Sequence, residues 1–168
     1  DDTAWLRERW SGKLVLKGVL HPGDAQRAAA LGVDGLIVSS HGGRQLDGAI
    51  APLHALPEVV RAVPAELPVF RDGGVHRGTD GLKALTLGAR MVFVGRPTLF
   101  GLAVAGQAVL EAVLRLLQQE IDRDLALLGC REPAAVTREW LRPHPHAAAL
   151  LAHPGLPLPA AASLSQAA

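Results

Sequence analysis

Short apolar runs rich in Val, Ile and Leu alternate along the chain with longer segments whose apolar residues recur at helical spacing. Near-continuous apolar runs are typical of buried parallel strands, and the segments between them are typical of covering helices. Strands are predicted at 14–17, 35–39, 68–72 and 91–95. Helices are predicted at about 3–10, 23–31, about 52–62, 79–87, near 97–100, about 102–128 and 133–141.

Two segments of the chain repeat one pattern. Asp24 stands 8 residues before Gly32, and Asp80 stands 8 residues before Gly88. Each copy predicts a helix with an acidic first turn, a glycine at its C-terminal cap and then an apolar strand. Four strands with this doubled symmetry predict half of an eight-stranded β/α barrel, since a whole barrel takes about 250 residues. A small open parallel sheet, complete in itself, is the alternative.

Composition divides the chain near Pro143. Residues 1–142 carry the periodic pattern and are predicted to form the half barrel, whereas residues 143–168 are rich in Pro, Ala and Leu with little periodicity. We expect these last residues to form a loosely ordered tail. His144 and His146 have near-ligand spacing but lack a third ligand, so no metal site is expected.

The composition is that of a globular protein, with 49% apolar and 20% charged residues. The formal net charge of +1 gives no reason to expect a nucleic-acid partner. No apolar run is long enough to span a membrane, and the first residues resemble neither a signal nor a transit peptide. The single cysteine, Cys130, excludes an internal disulfide and fits a reducing compartment. We therefore expect a cytoplasmic protein.

The segment 39–47 begins at the end of the second predicted strand and contains side chains that can transfer a proton or bind an anion. His41 can exchange a proton near neutral pH, and Arg44 offers a planar fork of donors that suits a carboxylate or a phosphate. Side chains at the carboxyl ends of parallel barrel strands face a shared crevice. His41 and Arg44 are therefore candidates for a base and an anion clamp, although an ordinary polar turn could carry the same residues.

The other strand ends carry related chemistry. Lys17 suggests an anionic ligand, because a buried lysine is costly without one. Gly73 and Gly74 would let the backbone approach a ligand closely, and the two helices that follow the last two strands should offer free N–H groups to a phosphate. Arg77 and Arg96 lie in the loops that commonly bind phosphate in barrels.

Several motifs occur in order between about Ala4 and Leu128. They are Lys17-Gly-Val, Ser39-Ser-His-Gly-Gly-Arg-Gln-Leu-Asp47, Asp72-Gly-Gly-Val-His-Arg-Gly-Thr-Asp80, Lys83-Ala-Leu and Gly95-Arg-Pro. With this spacing the chain resembles the FMN-dependent 2-hydroxyacid oxidase and dehydrogenase family, which includes glycolate, lactate, mandelate and hydroxymandelate oxidising enzymes. The resemblance covers the last four β/α units of a TIM (β/α)8 barrel and the helices after them. The chain is accordingly expected to be a fragment, inactive alone.

The resemblance implies FMN-dependent oxidation of an (S)-2-hydroxy acid to the 2-oxo acid, with electrons passed to oxygen or another acceptor. It implies that His41 is the base, that Arg44 clamps the substrate carboxylate and that Lys17 stabilises the reduced flavin. The residues that it implies for FMN binding are Lys17, Ser39, Asp72, Gly73, Gly74, Val75, His76, Arg77, Gly95 and Arg96. It also implies a homo-oligomer, a tetramer in this family.

Three positions depart from the family pattern. Ser40 stands where Asn is usual, Arg71 replaces an apolar residue, and His76 replaces an arginine that usually helps to hold the FMN phosphate. A neutral imidazole at position 76 would weaken that contact, whereas Arg77 and Arg96 would remain.

Two other functions stay open at this point. One is another FMN- or phosphate-binding barrel, such as type 2 isopentenyl diphosphate isomerase, and the other is a non-catalytic half barrel that binds phosphate only. The pairing of a base with a carboxylate clamp in segment 39–47 argues against the isomerase.

Overall fold

The computed structural model describes residues 2–142, so the expected tail at 143–168 and its two histidines lie outside the described residues. The chain divides into two units, residues 1–138 and residues 139–168. The first unit holds the sheet and the helices around it, and the second is described only over residues 139–142.

Parallel strands alternate with helices along the described residues. The strands are β1 (Val15–Val19), β2 (Gly35–Val38), β3 (Val69–Arg71) and β4 (Met91–Val92). The helices are α1 (Asp2–Arg9), α2 (Pro22–Ala30), α3 (Pro52–Ala62), α4 (Gly78–Thr86), α5 (Arg96–Ala105) and α6 (Gln107–Leu128). Three-residue 3₁₀ turns lie at His41–Gly43, Pro133–Ala135 and Arg138–Trp140. The four predicted strands are confirmed in type and position.

The four strands are all parallel and follow one another in sequence order, β1-β2-β3-β4. A doubly wound sheet would reverse its strand order partway and carry helices on both faces. The sequential order, together with helices on one face only, is that of a sector of a β/α barrel. The predicted half barrel is thereby favoured over an open sheet.

The core lies between one face of the sheet and helices α2, α3 and α4. Leu36 and Val38 of β2 are fully buried there against small alanines and larger residues of the helices. The buried cluster comprises Val19, Ala25, Ala28, Val33, Leu36, Val38, Ala55, Leu56, Val59, Val69, Ala84 and Ala89. On the opposite, inner face, Val15, Met91 and Phe93 stay 40–46% exposed. The helices therefore cover only the outer face.

Strand β1 continues two residues past its predicted end at Lys17. Its register with β2 shifts between Lys17 and Val19, and the residue between them, Gly18, has a φ of +100°. A bulge of this kind redirects the side chains that follow it. Lys17 therefore stays on the inner face, where Ile37 is its register partner, while Val19 enters the core.

Three elements near the C-terminal end differ from their predictions. The helix predicted at 102–128 is broken at Gly106, whose φ of +68° and ψ of −146° suit only glycine, so α5 and α6 form a hairpin. The helix predicted at 133–141 is replaced by two 3₁₀ turns, because Val136 is extended and buries its side chain against Leu82 and Leu125. Strand β4 pairs over only two of its five predicted residues.

Helix α6 crosses the start of α4 at very short range. Glu120 of α6 accepts hydrogen bonds from the backbone N–H of Gly78 (2.7 Å) and from Arg77 Nε (2.7 Å). The Gly78 N–H, ahead of the Arg77 guanidinium, lowers the pKa of Glu120. A Cβ at Gly78 would lie 2.7 Å from both Glu120 Cβ and the backbone nitrogen of Ile121. Only glycine at this position permits the contact.

We expect Gly78→Ala to destabilise the protein, because the added methyl group would force α6 away from α4. The loss in the free energy of unfolding should be about 1–3 kcal/mol, as for other overpacked sites. Gly81→Ala, in the same helix, is the matched control: its Cβ would meet only Ile121 Cδ1 at 3.9 Å. That variant should be neutral or stabilised by up to about 1 kcal/mol. Urea unfolding of the full chain measures both, and equal stabilities would contradict the packing argument.

Asp34 joins α1 and the chain that follows it to the start of β2. Its carboxylate pairs with Lys13 (2.9 Å) and Arg7 (3.0 Å) and accepts the backbone N–H of Leu14 (2.9 Å). The Lys13 contact, followed by the Leu14 N–H, lowers the pKa of Asp34 from 3.8 to about 2. The carboxylate therefore stabilises the folded chain only while it is ionised.

We expect Asp34→Asn to lower the urea midpoint at pH 7. Because the folded-state pKa lies below the ordinary value, the contribution is complete above about pH 4 and is lost as the pH falls towards 2. The difference between the parent and Asp34→Asn should therefore shrink over that interval. Asp24→Asn, which removes an exposed pair with Arg27, should have a smaller effect. A difference independent of pH would show that the charge of Asp34 is not what stabilises the fold.

Candidate active site

A cavity of about 220 Å³ lies at the carboxyl ends of the strands. Ten of the twelve residues predicted for the site line it, and they come from all four strand ends. They are Lys17, His41, Arg44, Asp72, Gly73, Gly74, Val75, His76, Gly95 and Arg96. The other two are Ser39, which lies just beneath the cavity wall, and Arg77, which is turned away.

Lys17 is held at the floor of the cavity by residues from two neighbouring strand ends. Its ammonium lies 2.7 Å from Asp72 Oδ2 and donates to Ser39 Oγ at 3.0 Å. The Lys17 side chain is 44% exposed towards the cavity, whereas that of Asp72 is 19% exposed. An ammonium has three donors, so one of them is left for a ligand.

Asp72 carries an unsatisfied acceptor. Its Oδ1 atom is buried and has no hydrogen-bond partner among the described residues, while Oδ2 is paired with Lys17. A buried carboxylate oxygen without a donor is costly, and such an atom in a cavity wall suits a ligand hydroxyl. Of the two carboxylate oxygens, Oδ2 therefore contacts Lys17, and Oδ1 is available to a ligand.

His41 has an unusual backbone. Among residues 2–142 it is the one non-glycine residue with a positive φ, +52°. Its N–H donates to Ser39 Oγ at 3.0 Å, which holds the 3₁₀ turn His41–Gly43 against the end of β2. Backbone conformations of this kind are uncommon, persist where neighbouring contacts impose them and occur often at functional sites. The turn presents the exposed imidazole to the cavity.

Two arginines add positive charge to the cavity. Arg44 follows the His41 turn, and Arg96 begins α5 on the opposite side. The Arg96 guanidinium lies against Gly42, since a Cβ there would be 3.6 Å from Nη2. No ion pair is found for Arg44 or Arg96 within residues 2–142. Both guanidinium groups are therefore free to bind an anion.

Two loops that line the cavity, Gly73–Gly74 and Gly95–Arg96, also offer backbone N–H donors. Gly73 and Gly74 have φ values of +82° and +66°, which favour glycine. Within residues 2–142 the N–H groups of Gly73, Gly74, Gly95 and Arg96 have no protein acceptor. Free N–H groups beside an arginine form an anion site, with α5 adding the field of a helix N-terminus.

The start of α4 does not contribute to that anion site, contrary to the sequence-based expectation. Asp80 Oδ2 accepts the N–H groups of His76 and Arg77 (3.0 Å each), and Glu120 accepts the N–H of Gly78. Carboxylates of the protein therefore occupy these donors. Arg77, predicted to bind the cofactor, instead pairs with Glu120 outside the cavity.

Sequence reasoning missed the apolar wall of the cavity, which Phe93 and Leu99 form together with Pro97. The Phe93 ring packs edge-on against Phe70, with ring centroids 6.1 Å apart. Strand alternation could have identified Phe93, because it follows Met91 by two residues and therefore shares the inner face. Leu99 could not be identified in this way, because the packing of α5 decides which of its residues line the cavity.

Residues 2–142 contain neither a cluster of metal ligands nor a membrane-spanning helix. No group of three or more His, Cys, Asp or Glu side chains lies close enough to hold a metal ion in this part of the chain. No described helix combines the length and apolar character that a membrane span requires.

The chain resembles known proteins over most of its length. A family model described as FMN-dependent dehydrogenase matches residues 1–143. L-lactate oxidase of Nostoc sp. is 53% identical over 141 residues, which are 84% of this chain and 39% of that protein. 2-Hydroxyacid oxidase 1 of Mus musculus is 48% identical over 145 residues, which are 86% of this chain and 39% of that protein.

The solved structures agree with the sequence matches. A soluble mutant of the membrane-associated (S)-mandelate dehydrogenase of Pseudomonas putida superposes with a TM-score of 0.79 at 45% identity, over 84% of this chain and 40% of that one. The chain thus spans about two fifths of the length of these relatives. By sequence and by fold, the chain belongs to the FMN-dependent dehydrogenase family, and its sheet is part of that family's β/α barrel.

Proposed function

We propose that the protein oxidises a small 2-hydroxy acid to the 2-oxo acid at this cavity, with FMN as cofactor and oxygen or another electron acceptor. The convergence of His41, Arg44 and Lys17 on one cavity carries the proposal. The relatives support it by their names, which include a lactate oxidase, a 2-hydroxyacid oxidase and a mandelate dehydrogenase. The oligomeric state and the cytoplasmic location expected from the sequence stay predictions.

The described residues suit FMN, which carries hydroxyl groups on a chain that ends in a phosphate. Asp72 Oδ1 is a buried acceptor with no partner in the described part of the chain, and it would accept a hydrogen bond from a hydroxyl of FMN. The free N–H groups of Gly73, Gly74 and Gly95, with the Arg96 guanidinium, would hold the phosphate. When bound, FMN supplies the acceptor for the two electrons that leave the substrate.

Arg44 and His41 have separate roles in the proposal. Arg44, without an ion pair in the described chain, holds the substrate carboxylate by two parallel hydrogen bonds. His41 takes a proton from the substrate as it is oxidised, and its backbone N–H is held by Ser39 Oγ. His41 and Arg44 are three residues apart and both line the cavity, which supports their acting on one bound substrate.

Lys17 stabilises negative charge at the floor of the cavity. Ser39 and Asp72 fix its ammonium before any ligand binds, so no reorganisation is needed when charge develops beside it. Asp72 offsets part of the positive charge of Lys17.

The visible absorbance spectrum of the full-length protein tests the function directly. We expect flavin bands that bleach under anaerobic conditions when lactate, glycolate or mandelate is added. Flavin bands that no 2-hydroxy acid bleaches would favour a different flavin barrel, such as the isomerase. Purified protein that neither carries nor takes up FMN would contradict the proposal and favour a unit that binds phosphate only.

Substitutions at His41 and Arg44 should separate a base from a clamp. We expect His41→Ala to retain FMN and to bind a 2-oxo acid, while the rate of flavin reduction falls by about 10²-fold or more. Arg44→Ala should lose both reduction and affinity for carboxylate inhibitors, and Arg44→Lys should recover only part of that affinity. Stopped-flow bleaching and inhibitor titration measure the two effects. Reduction of the His41→Ala flavin at the parent rate would exclude this turn as the catalytic one.

We expect Lys17→Met to slow flavin reduction by at least about 10²-fold, because a preorganised charge is lost from the floor of the cavity. FMN retention should also fall. Lys83→Met is the matched control, since Lys83 is exposed on α4 and does not line the cavity. Rapid-mixing reduction rates with FMN fully bound decide the point, and a parent-like rate in Lys17→Met would remove Lys17 from the mechanism.

A further inference from the structure

Arg71, at the end of β3, is a buried cation. The residue is only 3% exposed, and its Nε and Nη1 atoms are buried with no acceptor among the described residues. Burial lowers the pKa of Arg71, while the charges of Asp80 and Asp72 act in the opposite direction. An unpaired buried guanidinium is costly, so its position favours an anionic ligand, since residues 2–142 supply no carboxylate partner for it.

The neighbouring carboxylates are committed to other groups. Asp80 Oδ2 accepts the N–H groups of His76 and Arg77, and Asp72 Oδ2 is paired with Lys17. Neither carboxylate lies within ion-pair distance of Arg71. Arg71 therefore adds net positive charge beneath this side of the cavity.

The guanidinium lies directly behind the glycine loop. A Cβ built at Gly74 would be 3.4 Å from Arg71 Nη2, so that nitrogen lies beside the backbone of Gly74. Gly74 lines the cavity together with His76 and Arg96, and its own N–H has no acceptor within residues 2–142. The buried Arg71 guanidinium and the Gly74 N–H therefore lie at the same loop.

We propose that Arg71 is a binding residue for the cofactor phosphate, acting past Gly74 from behind the loop while Arg96 acts from the opposite side. The inference rests on the proposed function, because it takes this cavity as the FMN site. When the phosphate binds, it supplies the anion that the Arg71 guanidinium lacks in the free protein. His76, on the cavity side of the same loop, cannot offer the two-pronged contact of an arginine.

Comparison of FMN with riboflavin isolates the phosphate contact, because the two ligands differ only in that group. We expect Arg71→Leu to raise the dissociation constant of FMN by about tenfold or more, while that of riboflavin changes by less than about twofold. Quenching of flavin fluorescence by the full-length apoprotein measures both constants. Arg90→Leu, which removes an exposed arginine outside the cavity, is the matched control and should leave the ratio of the two constants unchanged.

Two further variants test the same contact. Adding His76→Arg to Arg71→Leu should restore much of the lost FMN affinity, because a guanidinium returns to the same loop. Arg71→Lys should raise the dissociation constant of FMN by a smaller factor than Arg71→Leu and change that of riboflavin by less than about twofold. If Arg71→Leu does not fold, Arg71→Lys takes its place, and an equal effect on both ligands, or no effect on either, would overturn the assignment.

Each result has a defined meaning. Equal weakening of FMN and riboflavin by Arg71→Leu, or no weakening of either, would overturn the assignment of Arg71 to the phosphate. Failure of the parent apoprotein to bind FMN would instead contradict the proposed function, so the two hypotheses fail in different measurements.

Discussion

The Lys17–Asp72 ion pair is the contact on which the candidate site depends. It joins the ends of β1 and β3 across β2, and Ser39 at the end of β2 accepts a hydrogen bond from the same ammonium. Ser39 also accepts the N–H of His41, so one hydroxyl positions both the cation and the turn that carries the proposed base. This arrangement is possible because parallel strands in sequence order bring their carboxyl ends to one edge of the sheet.

Charge around the cavity is strongly unbalanced. Lys17 is paired, but Arg44, Arg96 and the buried Arg71 have no carboxylate partner in the described part of the chain. Unpaired cations at close range destabilise a folded protein, and they persist where an anion binds. The free N–H groups of the glycine loops add to the same potential. The site is therefore suited to an anionic ligand, because the described residues supply no carboxylate partner for these arginines.

Two glycines allow neighbouring helices to approach one another closely. Gly78 admits Glu120 to the start of α4, and Gly101 lies against α6, where a Cβ would meet Val113 at 2.9 Å. The first of these contacts has a functional consequence, because Glu120 occupies the Gly78 N–H and draws Arg77 away from the cavity. Donors that line the cavity without a protein acceptor among residues 2–142 include those of the Gly73–Gly74 loop and of the start of α5.

The sequence by itself determined the four strands, the helices that alternate with them, the barrel sector and ten of the residues that line the cavity. These features depend on local patterns: apolar runs, helix caps, and residues placed just after strands. Only the tertiary structure decided that Arg77 pairs with Glu120, 43 residues away, that Val136 leaves a helical path to enter a cluster between α4 and α6, and that Arg71 is buried behind Gly74. Each of these outcomes depends on which distant side chain competes for the same donor or the same space, and spacing along the chain does not encode that competition.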